Sequence, residues 1–306
     1  MRILFITATR IGDAILSCGV LDHLLRQYPL ALFTVACGPA AAGVFAKMPR
    51  RERTIIVDKR RYDTHWVKLW LRTVGTRWDL VVDLRGSALS FAIPARRRLI
   101  MRGGRRPGHR LGHLARALGI DRPPVPVAWF DAADRARAEQ LIPPGPPVIG
   151  LGPTANWAGK IWPADRFVAL FRALTDGRLA GARVAVFAGP GAAERALVEP
   201  VTAELPGCID LAGGLTLTEA AACLARCALF VGNDSGLMHL AAATGTPTLG
   251  LFGPTRASEY APAGRCTAVA EAVGTAGEAP IAGLSLQSAL QAATHLLDCA
   301  ERARAA

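Results

Sequence analysis

The turn Asn233-Asp-Ser-Gly236 sits between the apolar run Ala228–Val231 and a helical pattern, Gly236–Ala243, and its residue types suit an anionic ligand. Backbone N–H groups at a helix N-terminus lack intrahelical partners, and the helix dipole adds positive potential there, so a diphosphate would be favoured. Asp234 would repel phosphate; it either faces sugar hydroxyls or caps the helix. His239, one turn further on, reads equally well as a ligand or as a satisfied core histidine. A second segment, Gly152-Pro-Thr-Ala-Asn-Trp-Ala-Gly-Lys-Ile-Trp-Pro163, also follows a strand and precedes a helix. Its Lys160 is one of four lysines, and an ammonium on a flexible stem suits a leaving phosphate, the alternative being an ordinary solvated lysine. A third loop, Thr9-Arg-Ile-Gly-Asp13, follows the first strand. Gly12 permits a tight turn there, and the Asp13 carboxylate can either take a proton from an attacking hydroxyl or simply cap the next helix. Gly189-Pro-Gly191 with Glu194 has the form of a nucleotide-ribose site.

These loops need a scaffold, and apolar runs supply one. Ile3–Thr7, Leu32–Cys37, Thr54–Val57 and Leu80–Leu84 read as strands, with a helix from about Ala14 to Tyr28 and further helical stretches between them. The run Leu141-Ile-Pro-Pro-Gly-Pro-Pro147 is too proline-rich to continue a helix or a sheet interior, and it reads as a linker. The pattern then restarts, with strands at Val148–Leu151, Arg183–Ala188, Ala228–Val231 and Thr248–Phe252. Helices are expected at Pro163–Thr175, Gly191–Glu204, Thr218–Arg226, Gly236–Ala243 and Ser285–Arg302. The expected class is α/β, two Rossmann-like doubly wound domains at 1–145 and 146–306 facing a central cleft, with the last helix free to pack back on the first domain. Ligands of such sheets bind beyond the carboxyl ends of the strands, where all the loops above lie.

Composition narrows the classes. Apolar residues make up 51% of the 306 and charged residues 20%, which suits a globular chain with two cores. No run of 18 apolar residues occurs, and Arg10 and Asp13 break the N-terminal apolar stretch too early for a signal peptide. Seven cysteines without a CxxC pair fit free thiols in a reducing cytoplasm. His109 and His113 have i, i+4 spacing but an arginine-rich setting that disfavours a metal, no Asp-x-Asp pair offers carboxylate ligands, and no GxxxxGK[ST] loop is present. Residues 1–145 carry 25 Lys and Arg against 11 Asp and Glu, whereas 146–306 carry 11 against 13. The first half is therefore suited to a polyanion, and arginine's fork pairs bidentately with phosphate or carboxylate.

Together, RIGDAIL, GPTANWAGKIWPADRF, GPGAAERAL and DLAGGLTLTEAAACLARCALFVGNDSGLMHLAAATGTPTLGLFGPT resemble the bacterial ADP-heptose:lipopolysaccharide heptosyltransferases, glycosyltransferase family 9. The likeness covers the first thirty residues and most of the second half; residues 38–145 match in outline only, through Asp79–Gly86. It implies a GT-B fold with an acceptor-binding domain first and a nucleotide-sugar domain second, and inverting transfer without metal or cofactor. By position, Asp13 would be the general base on the acceptor hydroxyl. Thr154 and Lys160 would hold the donor phosphates, Glu194 the ribose, and Leu215 would lie near the adenine. Asp234, Ser235, Gly236 and His239 would line the sugar and diphosphate. Ala155 stands where family members sometimes carry a small hydroxyl residue, which leaves Thr154 to act alone.

The implied acceptor is an anionic glycolipid of the lipopolysaccharide inner core, met by a cytoplasmic enzyme peripheral to the inner membrane. Arg10 and Arg85, each following a strand, and Arg102, Arg105 and Arg106 are assigned to it; the last three belong, with Arg96–Arg98 and Arg110, to the densest basic cluster. Anionic lipid, or a plain solvated charged face, is the alternative for that cluster. Rival readings are a transferase or epimerase of this fold using another nucleotide sugar, and a basic nucleic-acid binder. No stacking platform or binding module accompanies the charge, so no nucleic-acid partner is expected.

Overall fold

Apolar runs of five or six residues build the inner strands of two all-parallel sheets, buried on both faces and so without polar alternation, while the edge strands are more exposed. The computed structural model describes residues 1–58, 64–101 and 107–305, and it divides into two units, Met1–Trp129 and Phe130–Ala306. In the first unit, strands β1 (Arg2–Ile6), β2 (Leu32–Cys37), β3 (Arg51–Ile56), β4 (Trp78–Asp83) and β5 (Ala95–Ile100) lie in the order β3-β2-β1-β4-β5. Helices α1 (Ile11–Gln27), α2 (Thr64–Thr73) and α3 (Arg110–Leu118) accompany them. The chain winds outward from β1 to β3, then returns to the far side of β1 at β4, so the winding reverses between β1 and β4. The first turn of α1, with Asp13, and the loop carrying Arg85 follow the carboxyl ends of those two strands.

The second unit has six strands, β6 (Val148–Gly152), β7 (Arg183–Ala188), β8 (Ile209–Ala212), β9 (Leu229–Asn233), β10 (Thr248–Phe252) and β11 (Thr267–Glu271). Their order is β11-β10-β9-β6-β7-β8, with the reversal between β6 and β9. Its helices are α4 (Ala132–Leu141), α5 (Ala164–Thr175), α6 (Ala192–Glu204), α7 (Leu217–Leu224), α8 (Gly236–Ala243), α9 (Ala257–Tyr260) and α10 (Leu286–Ala305). A core of Ile149, Leu151, Trp162, Phe167, Val186 and Leu251 fills the space between sheet and helices. α10 packs against α5, β10 and β11 of its own unit. Where β6 and β9 pair, Gly152 lies opposite Gly232, and a Cβ at either would stand 2.6 or 2.7 Å from the Phe230 ring. Two glycines side by side let that ring lie against the strand ends just below the loops that follow β6 and β9.

Three expectations change. The proline run does not divide the chain; the division falls before α4, which packs on α7. Asp131 and Asp134 form a capping box that starts α4, Asp134 accepts a buried hydrogen bond from the Thr218 hydroxyl at 3.0 Å, and the Arg226 Nε donates to the Ile142 carbonyl at 2.7 Å. α1 begins at Ile11 rather than Ala14, so Asp13 sits in its first turn, where an acid is favoured by the dipole, and Arg10 is the N-cap. The arginine run 96–98 is strand β5, whose alternating side chains cannot form one cluster.

Candidate active site

Four loops emerge from four neighbouring strands of the second unit. Along the edge β9-β6-β7-β8 they carry, in order, Asp234 and Ser235, then Thr154 and Lys160, then Glu194, then Leu215. Neighbouring strands are about 4.8 Å apart, so these groups form a row rather than a cluster. Asn233 ties the first two loops together: its Oδ1 accepts from the Trp162 backbone N–H at 3.1 Å. Trp162 is itself buried and donates its indole N–H to the Leu284 carbonyl at 3.0 Å, which fixes the end of the Gly152–Pro163 segment.

Lys160 and Asp234 meet directly. The ammonium lies 2.6 Å from Asp234 Oδ2, with the two side chains only 15% and 8% exposed. Asp234 is not the helix cap; Ser235 holds the N-cap position of α8 in extended backbone (φ −147°, ψ 172°), yet its side chain makes no capping bond. Among the described residues, the Ser235 hydroxyl, the Asn233 Nδ2 and the Thr255 hydroxyl are buried atoms with no hydrogen-bond partner. Buried polar groups are nearly always paired, so three such atoms at the ends of β9 and β10 leave hydrogen-bonding capacity there for a polar ligand. Thr154 is buried just after β6, and Gly236 and His239 lie on the first turns of α8, His239 buried. Glu194, in the first turn of α6, accepts from the Gly189 N–H at 3.2 Å, which holds its carboxylate over the glycine turn. Leu215 is half-buried ahead of the Thr216 cap of α7.

In the first unit, Asp13 stands alongside Arg110, whose Nε is 4.0 Å from Asp13 Oδ1. Both side chains are about a quarter exposed and open to a ligand. Arg10 is exposed at the N-cap, where its cation gains nothing from the helix dipole. Arg85 is exposed with its guanidinium 4.9 Å above the Trp66 ring. Asp83 governs the loop that presents Arg85: fully buried, it accepts from the N–H groups of Arg85, Gly86 and Ser87 and from the hydroxyls of Ser87 and Ser90. Arg102, Arg105 and Arg106 lie outside the described residues. The rest of the cluster is dispersed. Arg98 donates to the carbonyls of Ser90, Ala95 and Ile93, Arg96 pairs with Asp79 at 3.5 Å, and Arg97 reaches the Tyr28 hydroxyl at 3.5 Å. Among the described residues, no group of three or more His, Cys, Asp or Glu side chains could hold a metal.

The profile of glycosyltransferase family 9 (heptosyltransferase) matches residues 109–276, more than half of the chain. The chain belongs to this family. As a family 9 glycosyltransferase it is 26% identical to lipooligosaccharide heptosyltransferase 2 of Haemophilus influenzae over 302 residues, covering 86% of each chain. It is 25% identical to lipopolysaccharide heptosyltransferase 2 of Escherichia coli K12, covering 83% of each. Among solved structures, the family 9 glycosyltransferase of Veillonella parvula superposes with a TM-score of 0.82 at 23% identity, covering 97% of both chains. The Escherichia coli ADP-heptose lipopolysaccharide heptosyltransferase II does so at 0.77 and 23% identity, covering 98% of this chain and all of the other. The shared fold is the GT-B class, with two Rossmann-like units. The family match begins at residue 109, within the first unit beside Arg110, and takes in each of the four loops of the second.

Proposed function

We propose that this glycosyltransferase moves a heptose from ADP-heptose to an anionic inner-core acceptor of lipopolysaccharide, with inversion and without a metal ion. The observation that carries the reading is the order of groups along one sheet edge. From β9 to β8, a hydroxyl- and carboxylate-bearing turn, a buried threonine with a lysine, a carboxylate and an apolar side chain follow one another, matching sugar, diphosphate, ribose and base. The names of the Haemophilus and Escherichia relatives supply heptose and lipopolysaccharide.

In the reaction, an acceptor hydroxyl oxygen bonds to the anomeric carbon as the bond from that carbon to the diphosphate oxygen breaks. Asp13 takes the hydroxyl proton, and ADP departs with the electron pair. Positive charge for the leaving diphosphate comes from Lys160 and the open N-terminus of α8, a preorganised arrangement that needs no metal. Asp234 pairs with Lys160, and a donor phosphate would share the ammonium with it. Arg10, Arg85, Arg110 and the sequence neighbours Arg102, Arg105 and Arg106 are assigned to acceptor anions. Because that acceptor is carried on a lipid, the enzyme works at the cytoplasmic face of the inner membrane; among the described residues no helix is long and apolar enough to cross a membrane.

A thermal-shift series with ADP-, UDP-, GDP- and CMP-sugars tests the reading, followed by mass analysis of the acceptor. ADP-heptose is expected to give the largest stabilisation and an acceptor heavier by one heptosyl residue. Preference for another nucleotide, or a changed sugar nucleotide with the acceptor absent, would favour the rival enzymes of this fold.

A further inference from the structure

Helix α2 exposes apolar side chains alongside basic ones on its outward face. Val67 and Leu71, one turn apart, are 58% and 64% exposed, and Phe91, in the short turn Ala88–Phe91 that packs beside the helix, is 58% exposed. Beside Val67 lies a largely apolar groove of about 480 Å³, lined by Trp66, Val67, Trp70, Leu89 and Ala92 together with Ser87. The Trp70 indole N–H donates to the Ala92 carbonyl at 3.0 Å, so the tryptophan is fixed in the groove wall rather than loose. The surface around it is basic. Lys68 and Arg72 are exposed on the same helix, Arg53 donates to the Arg72 carbonyl, and Arg85 stacks on Trp66. Neither α2 nor the turn Ala88–Phe91 contains an acidic residue.

We propose that this face of the first unit docks on an anionic lipid bilayer. A helix lying in the interface combines Trp, Phe and Leu on its buried side with Lys and Arg flanking them, and stable anchoring takes two signals, apolar insertion and basic attraction. Tryptophan is enriched at the level of the headgroups because its ring is apolar and its N–H is polar. The basic rim selects the bilayer over a second copy of this strongly basic unit, which would meet it with like charge. The inference deepens the reading above and rests on it for the acceptor's lipid anchor, since docking here would hold the first unit at the surface where a lipid-borne acceptor is embedded.

The test is flotation of the full chain with vesicles of phosphatidylcholine alone or with 30% phosphatidylglycerol (about a third anionic, enough for a polybasic patch to respond). Wild type is expected to float with the anionic vesicles, to lose binding as salt rises, and to show a blue-shifted tryptophan emission. The triple variant Val67→Ser/Leu71→Ser/Phe91→Ser should lose binding at least tenfold, and Lys68→Gln/Arg72→Gln should weaken it and flatten the salt dependence. Unchanged transfer to a deacylated, water-soluble acceptor shows that each variant keeps its first unit folded and separates docking from chemistry. Equal flotation by the triple variant, no preference for anionic vesicles, or a dimer in sedimentation that the triple variant dissolves would overturn the proposal. Wild type that binds vesicles yet transfers nothing to the soluble acceptor would instead overturn the transferase reading alone.

Discussion

Lys160 and Asp234 were each legible as site residues, but not as partners, because 74 residues separate them and only the return of the chain to β9 beside β6 brings them together. The same holds for Asp13 and Arg110, which α1 and α3 place side by side. Removing one member of a nearly buried pair leaves a charge without compensation. Lys160→Ala should therefore lower stability by ~1–3 kcal/mol in denaturant unfolding, and it should also weaken ADP binding in a calorimetric titration. Retained ADP affinity in that variant would remove Lys160 from the phosphate site. Asn233 and Asp83 escaped the sequence reading as organisers; an acidic or amide residue closing a strand and followed by Gly and Ser was the available signal. Thiols test burial at this scale. Burial pushes Cys37 up to about 12 and Cys223 up to about 11, and raises Cys18 and Cys227 as well. At pH 8 these four should resist maleimide in the native protein and react only on unfolding.

Strands buried on both faces announced themselves as apolar runs, which is why β1, β2, β4, β7, β9 and β10 were readable within a residue or two. Of the edge strands only β3 was legible, and only from Thr54. β5 reads ARRRLI, and its arginines are spent on local carbonyls, Asp79 and the Tyr28 hydroxyl; β8 is four residues long, and β11 lies at the opposite edge. The proline run looked like a boundary because proline interrupts elements, yet it only joins α4 to β6 within one unit. Two local devices support the site and can be broken. Thr216 caps α7 reciprocally with Glu219, and Thr216→Ala should cost ~1 kcal/mol, lowering Tm by a few degrees. The Thr216 N–H and hydroxyl hold the Glu219 carboxyl below its usual range, so its contribution is full above the unfolded-state value near ~4.3 and is lost as pH falls through the folded one. The Tm gap between wild type and Glu219→Gln should accordingly be present at pH 6 and close under more acid conditions. Gly152→Ala would press a methyl against the Phe230 ring and should cost ~1–3 kcal/mol, with loss of ADP affinity as the following loop shifts.

At the scale of the molecule, the charge asymmetry read from the sequence fits the proposed division of labour, in which the basic unit takes acceptor and membrane and the near-neutral unit the nucleotide sugar. Hydrogen exchange with and without ADP should show protection concentrated in residues 130–306, above all in the loops after β6, β7 and β9; comparable protection in residues 1–129 would argue against that division. The central claim is that Asp13 acts on the acceptor hydroxyl and not on the nucleotide. It is tested most directly with Asp13→Asn, comparing heptosyl transfer with the calorimetric affinity for ADP. Transfer is predicted to fall by ~10²–10⁴-fold while ADP affinity stays within about a factor of two. Undiminished transfer, or affinity lost along with it, would contradict the account.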